Sequence, residues 1–445
     1  MRRHLTNAVC GALDYASYPL AMLLAAPVVL HRLGASEYGL WMIATSVISV
    51  GGIVASGFCD ASLQRIAQLR GAGDRGRMQH TVCSILGINL ALGLAVAVLT
   101  WMAAPWLAPH IAASPLTPPP ECRIAIRVAS VAILLRALES VGVSTLRAFE
   151  QYRITVRISV SVRLLTLGAA ASLAAVGMRT VSILVATTAF LLLGAGMQLA
   201  QLHRFIGPLT LGPQFEQGET RLLLSRGFFA WLQALGGALF GHLDRILLGV
   251  SLGAVAVAPY ALCVQFAQPI FGLTATSLHF LFPWFSTQVG EPSRRALRRT
   301  LLRAFACNLL LVAGGALLLL LVGVRLIRIW AGPAVAHSAA PILLPIVAGS
   351  ALMGLGVTGT YAMQALGLFR TVAVISLATH SVMLIVVLWL LHHGGLRGLA
   401  DSRLGYGGAA LLIYLPLLAT LRRAPRTAPA AAPHPPDSLR EGWEV

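Results

Sequence analysis

The sequence predicts an all-α integral membrane protein with about twelve transmembrane helices, and three observations support that fold class. Of the 445 residues, 57% are hydrophobic and only 11% are charged, whereas a soluble globular protein carries about 25% charged residues. The mean hydropathy is +0.79. Apolar stretches of the roughly 20 residues that span a bilayer recur along almost the whole chain.

We count twelve such stretches, joined by short connections. They lie near residues 10–32, 38–59, 81–105, 123–146, 155–177, 180–202, 222–250, 254–280, 300–324, 338–363, 371–393 and 404–421. A charged residue inside any of these spans is expected to face the helix bundle or to extend toward the interface, because hydrocarbon does not accept it. Since every connection is short, no part of the chain is expected to fold as a soluble catalytic domain.

The first span resembles a cleavable signal peptide, because a basic start precedes an apolar run. Asp14 and Pro19 interrupt that run, and another span follows soon after it. We therefore expect this segment to be retained as the first transmembrane helix.

Arginine positions predict which side of the membrane each connection faces. All 33 basic residues are Arg. If both termini are cytoplasmic, the connections on that side hold 22 arginines and those on the other side hold nine, Arg245 and Arg403 among them, while Arg136 and Arg163 remain within the membrane. Cytoplasmic connections are enriched in basic residues, so both termini are expected in the cytoplasm. The same rule accounts for the net charge of +18 without a nucleic-acid partner.

An internal repeat predicts two six-helix lobes. LGASEYGLW from Leu33 matches LGAVAVAPYAL from Leu252, and AFEQYRITV from Ala148 matches ALGLFRTVA from Ala365, so both matches have nearly the same offset along the chain. The predicted lobes cover residues 1–210 and 211–422. Transporters built from such parallel repeats bind their cargo between the halves, near the membrane midplane. Residues 423–445 are rich in Pro and Ala and are expected to form a disordered cytoplasmic tail.

Several kinds of site are not indicated. The six cysteines contain no Cys-x-x-Cys pair, and His242, His279 and His380 are isolated residues without metal-ligand spacing, each expected to pack or to lie at a helix end. A phosphate-binding loop of the Gly-x-x-x-x-Gly-Lys type needs a lysine, and this chain has none. We therefore predict no metal, no cofactor and no direct ATP hydrolysis.

Three segments carry a family resemblance. LGASEYGLW followed by GFCDASLQRIAQLRGAGD resembles the second-helix region of polysaccharide flippases, HLDRILLGVSLGAVAVAPYALCVQFAQPI resembles their seventh helix, and IRIWAGPAVAHSAAPILLPIVAGS resembles the stretch leading into the tenth. Over about residues 5–420, their order and spacing resemble an O-antigen-type lipid-linked oligosaccharide flippase (Wzx-like) of the multidrug/oligosaccharidyl-lipid/polysaccharide exporter superfamily. Asp60-Ala61-Ser62 departs from the usual Asp-Leu-Gly of the family.

The resemblance implies a MATE-like, V-shaped bundle of two six-helix lobes that works by alternating access. It implies a bacterial inner-membrane location and an undecaprenyl-diphosphate-linked oligosaccharide as cargo, moved from the cytoplasmic to the periplasmic leaflet. Membrane lipid is an expected partner, and glycan polymerase or ligase machinery is a candidate partner.

Substrate-binding candidates follow from the diphosphate that such a cargo carries through a low-dielectric region. They are Arg136, Arg163, Arg226 and Arg245, whose guanidinium groups suit phosphate oxygens, with Gln233 and Gln265 as candidate donors to sugar hydroxyls. A purely structural role is the alternative to substrate binding for each of these six residues. They include an Arg136–Glu139 pair on one helix face, an anchor at the membrane surface for Arg226, and hydrogen bonds between helices for the glutamines.

Ion-coupling candidates are the carboxylates placed within spans, namely Asp14, Glu139 and Asp244. A membrane carboxylate can carry a proton or Na⁺, so coupling to an H⁺ or Na⁺ gradient is a candidate mechanism. A fixed ion pair between helices remains the alternative for Asp244, and a helix-end cap or an ion pair with an arginine remains the alternative for Asp14.

Three other functions are alternatives to a flippase for this chain. An ion-coupled multidrug antiporter of the same superfamily is the main alternative, although its cavity should be dominated by carboxylates. A membrane enzyme, such as a glycan polymerase or ligase, is disfavoured because no large outside loop is present. A scaffold without transport activity would tolerate loss of every charge in the cavity.

Overall fold

The computed structural model describes residues 2–112, 118–206, 216–277, 294–366 and 368–422. Within these ranges the chain forms helices and contains no strand. The elements are α1 (Arg2–Ser56), α2 (Cys59–Gly71), α3 (Arg75–Ile111), α4 (Pro119–Ala148), α5 (Tyr152–Ala175), α6 (Thr180–Ile206), α7 (Gln217–Ala238), a π-helical turn (Leu239–Leu243), α8 (Asp244–Leu252), α9 (Ala254–Ser277), α10 (Arg294–Ala331), α11 (Pro333–Ala365), α12 (Phe369–Ala410), a 3-10 turn (Leu411–Ile413) and α13 (Tyr414–Arg422). The predicted tail at 423–445 lies outside the described residues.

The prediction of an all-α membrane protein with about twelve spans is confirmed. In the described ranges, nine helical stretches are long and apolar enough to cross a membrane. Two of these contain a break in the helix, at Gly34 and at Gly395, so each supplies two spans. Helix α4 adds one more segment of membrane length, although its arginines lower its hydropathy.

Glycine turns on one side of the bundle repeat in the two halves of the chain. Gly34 has φ 82° and ψ 173°, and Gly253, which follows the repeated Leu252 as Gly34 follows Leu33, has φ 80° and ψ 169°. Gly177 and Gly395 also have positive φ and are separated by almost the same interval. A residue with a Cβ atom rarely adopts a positive φ, so glycine makes these sharp reversals of the chain possible. The side that holds these turns and Gly332 is called the glycine face, and the opposite side, which holds α2, is called the α2 face.

A buried asparagine fastens two helices together in each half. The Asn89 amide nitrogen donates to the Ala137 carbonyl oxygen (3.2 Å) and to the Ser140 hydroxyl (3.0 Å), which joins α3 to α4. Asn308, at the equivalent position of the second half, donates to the Gly354 carbonyl (2.9 Å) and to the Thr358 hydroxyl (2.9 Å), which joins α10 to α11. The predicted repeat therefore extends from the turns into the buried polar contacts.

The two halves share a hydrophobic core at the glycine face but not at the α2 face. Near the glycine face one cluster contains Ile43 from α1 together with Leu248 from α8 and Val257 from α9. Toward the α2 face the clusters are separate, one within α2–α6 and another within α9–α13. The described core thus closes the bundle at one end and divides it at the other.

Helix α7 crosses this division. Its Trp231 stacks on Phe58, with 5.7 Å between ring centroids, and donates from its indole nitrogen to the Val54 carbonyl oxygen (2.9 Å). Helix α7 therefore packs on the N-terminal half of the chain through Trp231, although the predicted lobe boundary precedes α7. That boundary, at residues 210 and 211, lies outside the described ranges, and the two-lobe division by residue number stays a prediction.

Candidate functional site

A central cavity between the two halves consists of two adjoining chambers. Tyr18, His242 and Gln268 line both of them. The N chamber, of about 450 Å³, is lined mainly by α1, α4, α5 and α6. The C chamber, of about 320 Å³, is lined mainly by α7–α9, α11 and α12. The cavity lies where the repeat predicted a cargo site, between the halves.

The N chamber brings together three of the predicted residues. Arg136 donates to the Glu139 carboxylate across 3.1 Å, three residues along α4, and 40% of the Arg136 side chain remains exposed to the cavity. Arg163 on α5 donates to the Ser17 hydroxyl (3.3 Å). The lining is rich in hydroxyl groups, contributed by Thr45, Ser49, Ser159, Thr166 and Thr187. The structure therefore contains the intrahelical ion pair that the sequence left open as an alternative.

Three residues that line the C chamber each carry a buried polar atom that lacks a hydrogen-bond partner in the described part of the chain. These atoms are Arg245 Nε, Gln265 Nε2 and His242 Nδ1. The side-chain amide oxygen of Gln265 already has a partner, since it accepts a hydrogen bond from the Tyr38 hydroxyl (3.3 Å). Because Arg Nε and Gln Nε2 can only donate hydrogen bonds, these two side chains suit a ligand with several acceptor oxygens.

Behind the C chamber, a buried network fixes Asp244. Its carboxylate accepts from the guanidinium of Arg403 on α12 and from the Tyr260 hydroxyl (2.5 Å), and its second oxygen accepts from the Arg245 backbone nitrogen (2.8 Å). Arg403 also donates from Nε to the Tyr260 hydroxyl (3.0 Å). Asp244 thus forms an ion pair between helices, which the sequence analysis gives as the alternative to a role in ion coupling.

The location of Arg403 differs from the one that the sequence predicts. The arginine pattern predicts an outside connection for Arg403, but only 12% of its side chain is exposed and it pairs with Asp244 within the helix bundle. The reason is that α12 resumes directly after the break at Gly395, so Arg403 lies two turns inside the helix. No local signal showed this contact, because its partner is 159 residues away.

The predicted site residues include three that line the N chamber, two that line the C chamber and three whose side chains are outside the described part. Arg136, Glu139 and Arg163 line the N chamber, and Arg245 and Gln265 line the C chamber. Asp14 lies in α1, and Arg226 and Gln233 lie in α7, but the side chains of these three are outside the described part. His242, which the sequence predicts to pack or to lie at a helix end, lines both chambers.

The charge of the cavity favours an anion. Four arginines line the two chambers (Arg136, Arg163, Arg245 and Arg403), and they outnumber the two described carboxylates nearby, Glu139 in the lining and Asp244 behind it. Guanidinium groups bind phosphate oxygens through paired, charge-assisted hydrogen bonds. Among the described residues, no group of three His, Cys, Asp or Glu side chains is placed to hold a metal ion.

A second polar contact joins the halves at the α2 face. The Arg65 guanidinium on α2 donates to both oxygens of Glu219 at the start of α7, at 3.1 and 2.6 Å, and the Thr81 hydroxyl donates to the same carboxylate (3.3 Å). The hydrogen bonds from Arg65 lower the pKa of Glu219 below its ordinary value. This pair holds the start of α7 to the N-terminal half.

Comparison with known proteins identifies a family and a fold. The model of the family described as polysaccharide biosynthesis protein matches residues 29–340. The lipid II flippase MurJ in an inward closed conformation superposes with a TM-score of 0.73 at 13% identity, covering 93% of this chain and 87% of that one. No curated protein matches the sequence.

Two conformations of a multidrug resistance MATE family transporter of the MOP superfamily also superpose. The inward-facing conformation gives a TM-score of 0.69 at 16% identity, covering 92% of this chain and 98% of that one. The outward-facing conformation gives 0.56 at 16% identity, covering 92% and 95%. The fold is therefore the MATE-like one that the sequence predicted.

Proposed function

The chain belongs to the polysaccharide biosynthesis protein family, and from that premise we propose that it is a flippase that moves a lipid-linked, anionic glycan precursor across a membrane by alternating access. The precursor is an undecaprenyl-diphosphate-linked oligosaccharide or a related polysaccharide precursor, and the membrane is the bacterial inner membrane with both termini in the cytoplasm.

The unpartnered donors of the C chamber are the observation that supports this proposal most strongly. Arg245 and Gln265 line one chamber, and the Nε and Nε2 atoms of these side chains have no acceptor among the described residues. Leaving buried donors unpaired costs about 1–3 kcal/mol each. A diphosphate supplies acceptor oxygens and compensating negative charge, so its binding would remove that cost.

The N chamber suits the glycan. Its hydroxyl groups and the Arg136–Glu139 pair offer both donors and acceptors, as sugar hydroxyls require, while the pair adds no net charge. Tyr18 and Gln268 line both chambers, so a headgroup can extend from one into the other. The diphosphate therefore belongs in the C chamber and the sugars in the N chamber.

The distribution of the core supports access to the cavity from the α2 face. At the glycine face α1 approaches α9 so closely that a methyl group at Gly39 would overlap the Ala254 carbonyl oxygen. At the α2 face the cores are separate, and α7 connects the halves. The cavity is thus loaded from the α2 face, which the arginine distribution assigns to the cytoplasm.

Glu139 is the coupling residue best placed to exchange a proton or Na⁺ with the cavity. It lines the N chamber and has one described partner, Arg136, whose side chain is 40% exposed, whereas Asp244 is engaged by both Arg403 and Tyr260. Asp14 remains a candidate on α1. Members of a glycan polymerase or ligase machinery would receive the cargo, and the chain itself performs no covalent chemistry in this proposal.

Transport by the purified chain in proteoliposomes tests the proposal. The cargo is a fluorescent undecaprenyl-diphosphate-linked oligosaccharide, and its crossing is followed by protection from a membrane-impermeant reductant. Wild type should move it faster than empty vesicles, and Arg245→Gln should lower the initial rate about ten-fold, since one charged hydrogen bond contributes about 1.5–3 kcal/mol. Arg325→Gln, which removes an exposed arginine outside the cavity, is the matched control.

Wild-type rates equal to those of empty vesicles would contradict the flippase. Ion-dependent uptake of cationic drugs by the same vesicles would then support the antiporter alternative, which the MATE-like fold also accommodates. In that case removal of Glu139 should damage transport more than removal of Arg245.

A further inference from the structure

Two arginines on the outer surface of α4 lie away from the cavity and have no assigned role. Arg123 and Arg127 are one turn apart, and each is partly exposed. The Arg127 guanidinium lies 4.9 Å from the centre of the Trp101 ring on α3. The Nε atoms of both arginines are buried and lack hydrogen-bond partners among the described residues.

The surrounding surface faces lipid near the glycine face. Trp101 is 46% exposed and Trp106 is 67% exposed. Leu99 and Met102, which lie near Trp101 along α3, are exposed as well. Tryptophan concentrates at membrane–water interfaces. The pair of arginines therefore lies at the level where the headgroups of one leaflet meet the protein.

Neighbouring carboxylates do not engage this pair. Glu121, on the same helix, pairs with Arg179, which also pairs with Glu37. In the described part of the chain, Arg123 and Arg127 form no ion pair. Two adjacent guanidinium groups without a counter-charge are well suited to bind a phosphate.

The internal repeat shows that the fold does not require these arginines. The buried asparagine contacts relate Ala137 to Gly354 and Ser140 to Thr358. At the spacing of these two matches, the counterparts of Arg123 and Arg127 fall within 340–345 of α11, a stretch without any charged residue. An arginine pair at this position of the helix is thus present in α4 and absent from its counterpart α11.

We propose that Arg123, Arg127 and Trp101 form a binding site for the phosphate group of a lipid in the leaflet at the glycine face. The two guanidinium groups hold the phosphate oxygens, and the Trp101 ring packs against the Arg127 guanidinium. The shared chemistry is a lipid phosphate, whether that of a bulk anionic phospholipid or that of a polyprenyl diphosphate.

Native mass spectrometry of the purified full-length chain tests the site. The chain is titrated separately with dioleoylphosphatidylglycerol and with undecaprenyl diphosphate. The variant Arg123→Gln/Arg127→Gln should bind at least one of these lipids about ten-fold more weakly than wild type. The control Arg325→Gln/Arg328→Gln removes the same charge from α10 near the same face and should bind within about two-fold of wild type.

The two titrations distinguish the sources. Loss confined to phosphatidylglycerol assigns the site to bulk lipid, and loss confined to undecaprenyl diphosphate assigns it to the polyprenyl lipid. Unchanged binding of both lipids overturns the proposal, as does an equal loss in the control. If the Gln variant does not fold, Arg123→Lys/Arg127→Lys keeps the charge but lacks the planar fork and should bind about three-fold more weakly. Unchanged binding by that variant overturns the site as well.

Discussion

The N-terminal and C-terminal halves share a scaffold but differ in how they use charge. Gly34 matches Gly253 and Asn89 matches Asn308 at one common spacing, so turns and buried polar contacts are repeated. The charged residues are not repeated. The Arg136–Glu139 pair borders an open chamber within one helix, whereas Asp244 and Arg403 form a buried pair between helices. Duplication therefore fixes where the cavity lies, and individual substitutions determine what it can bind.

The largest expected difference between the halves concerns these two ion pairs. Asp244→Asn leaves the buried Arg403 without its counter-charge and should lower the free energy of unfolding by about 3–5 kcal/mol. The matched change Glu139→Gln acts on a pair whose arginine is 40% exposed to the cavity and should cost about 1 kcal/mol or less. Denaturation of the two variants in mild detergent measures both effects. Equal losses would contradict the distinction between a buried and a cavity-facing pair.

The asparagines test the opposite expectation, that scaffold contacts are equivalent in the two halves. Asn89→Leu and Asn308→Leu each remove two buried hydrogen bonds that the amide donates to the neighbouring helix. Each variant should lose about 1–3 kcal/mol of unfolding free energy, because the acceptors remain buried. The same denaturation assay compares them, and a loss in one half alone would show that the repeat is not energetically symmetric.

The smallest effect concerns the contact between the halves at the α2 face. Because the pKa of Glu219 is lowered in the folded protein, its pair with Arg65 stabilises the fold fully above the ordinary carboxyl pKa, about 4.3. That contribution is lost as the pH falls through the lower, folded value. Wild type should therefore lose stability in acid more steeply than Glu219→Gln. Glu150→Gln, which removes a more exposed carboxylate from an Arg70 pair, is the control and should follow wild type.

The sequence was sufficient to predict most of the fold, because hydrophobicity and the repeat are both local or periodic signals. The breaks at Gly34 and Gly395 fall where connections were predicted, and all twelve spans have a helical counterpart. Helix α2 was not predicted, since its mixed polar composition resembles a connection. The packing of α7 on Phe58 and Val54 was also missed, because the repeat suggested that α7 belongs only to the second half.

The site was predicted less completely, for a physical reason. Charges within spans identify Arg136, Glu139, Arg163 and Asp244 as polar positions inside the bundle, and all four lie there. Which charge has a partner depends on contacts between distant helices, as for Arg403 and Asp244. The unpartnered atoms of Arg245 and Gln265 emerge only when every neighbouring acceptor is known.

Binding of undecaprenyl diphosphate to the purified chain tests the central claim that the C chamber holds the phosphate. Arg245→Gln and Arg163→Gln each remove one positive charge, the first from the C chamber and the second from the N chamber. The account predicts about ten-fold weaker binding for Arg245→Gln, which loses a direct charged hydrogen bond. It predicts about two-fold weaker binding for Arg163→Gln, because that charge acts at longer range from the other chamber. Equal losses, or a larger loss for Arg163→Gln, would contradict it.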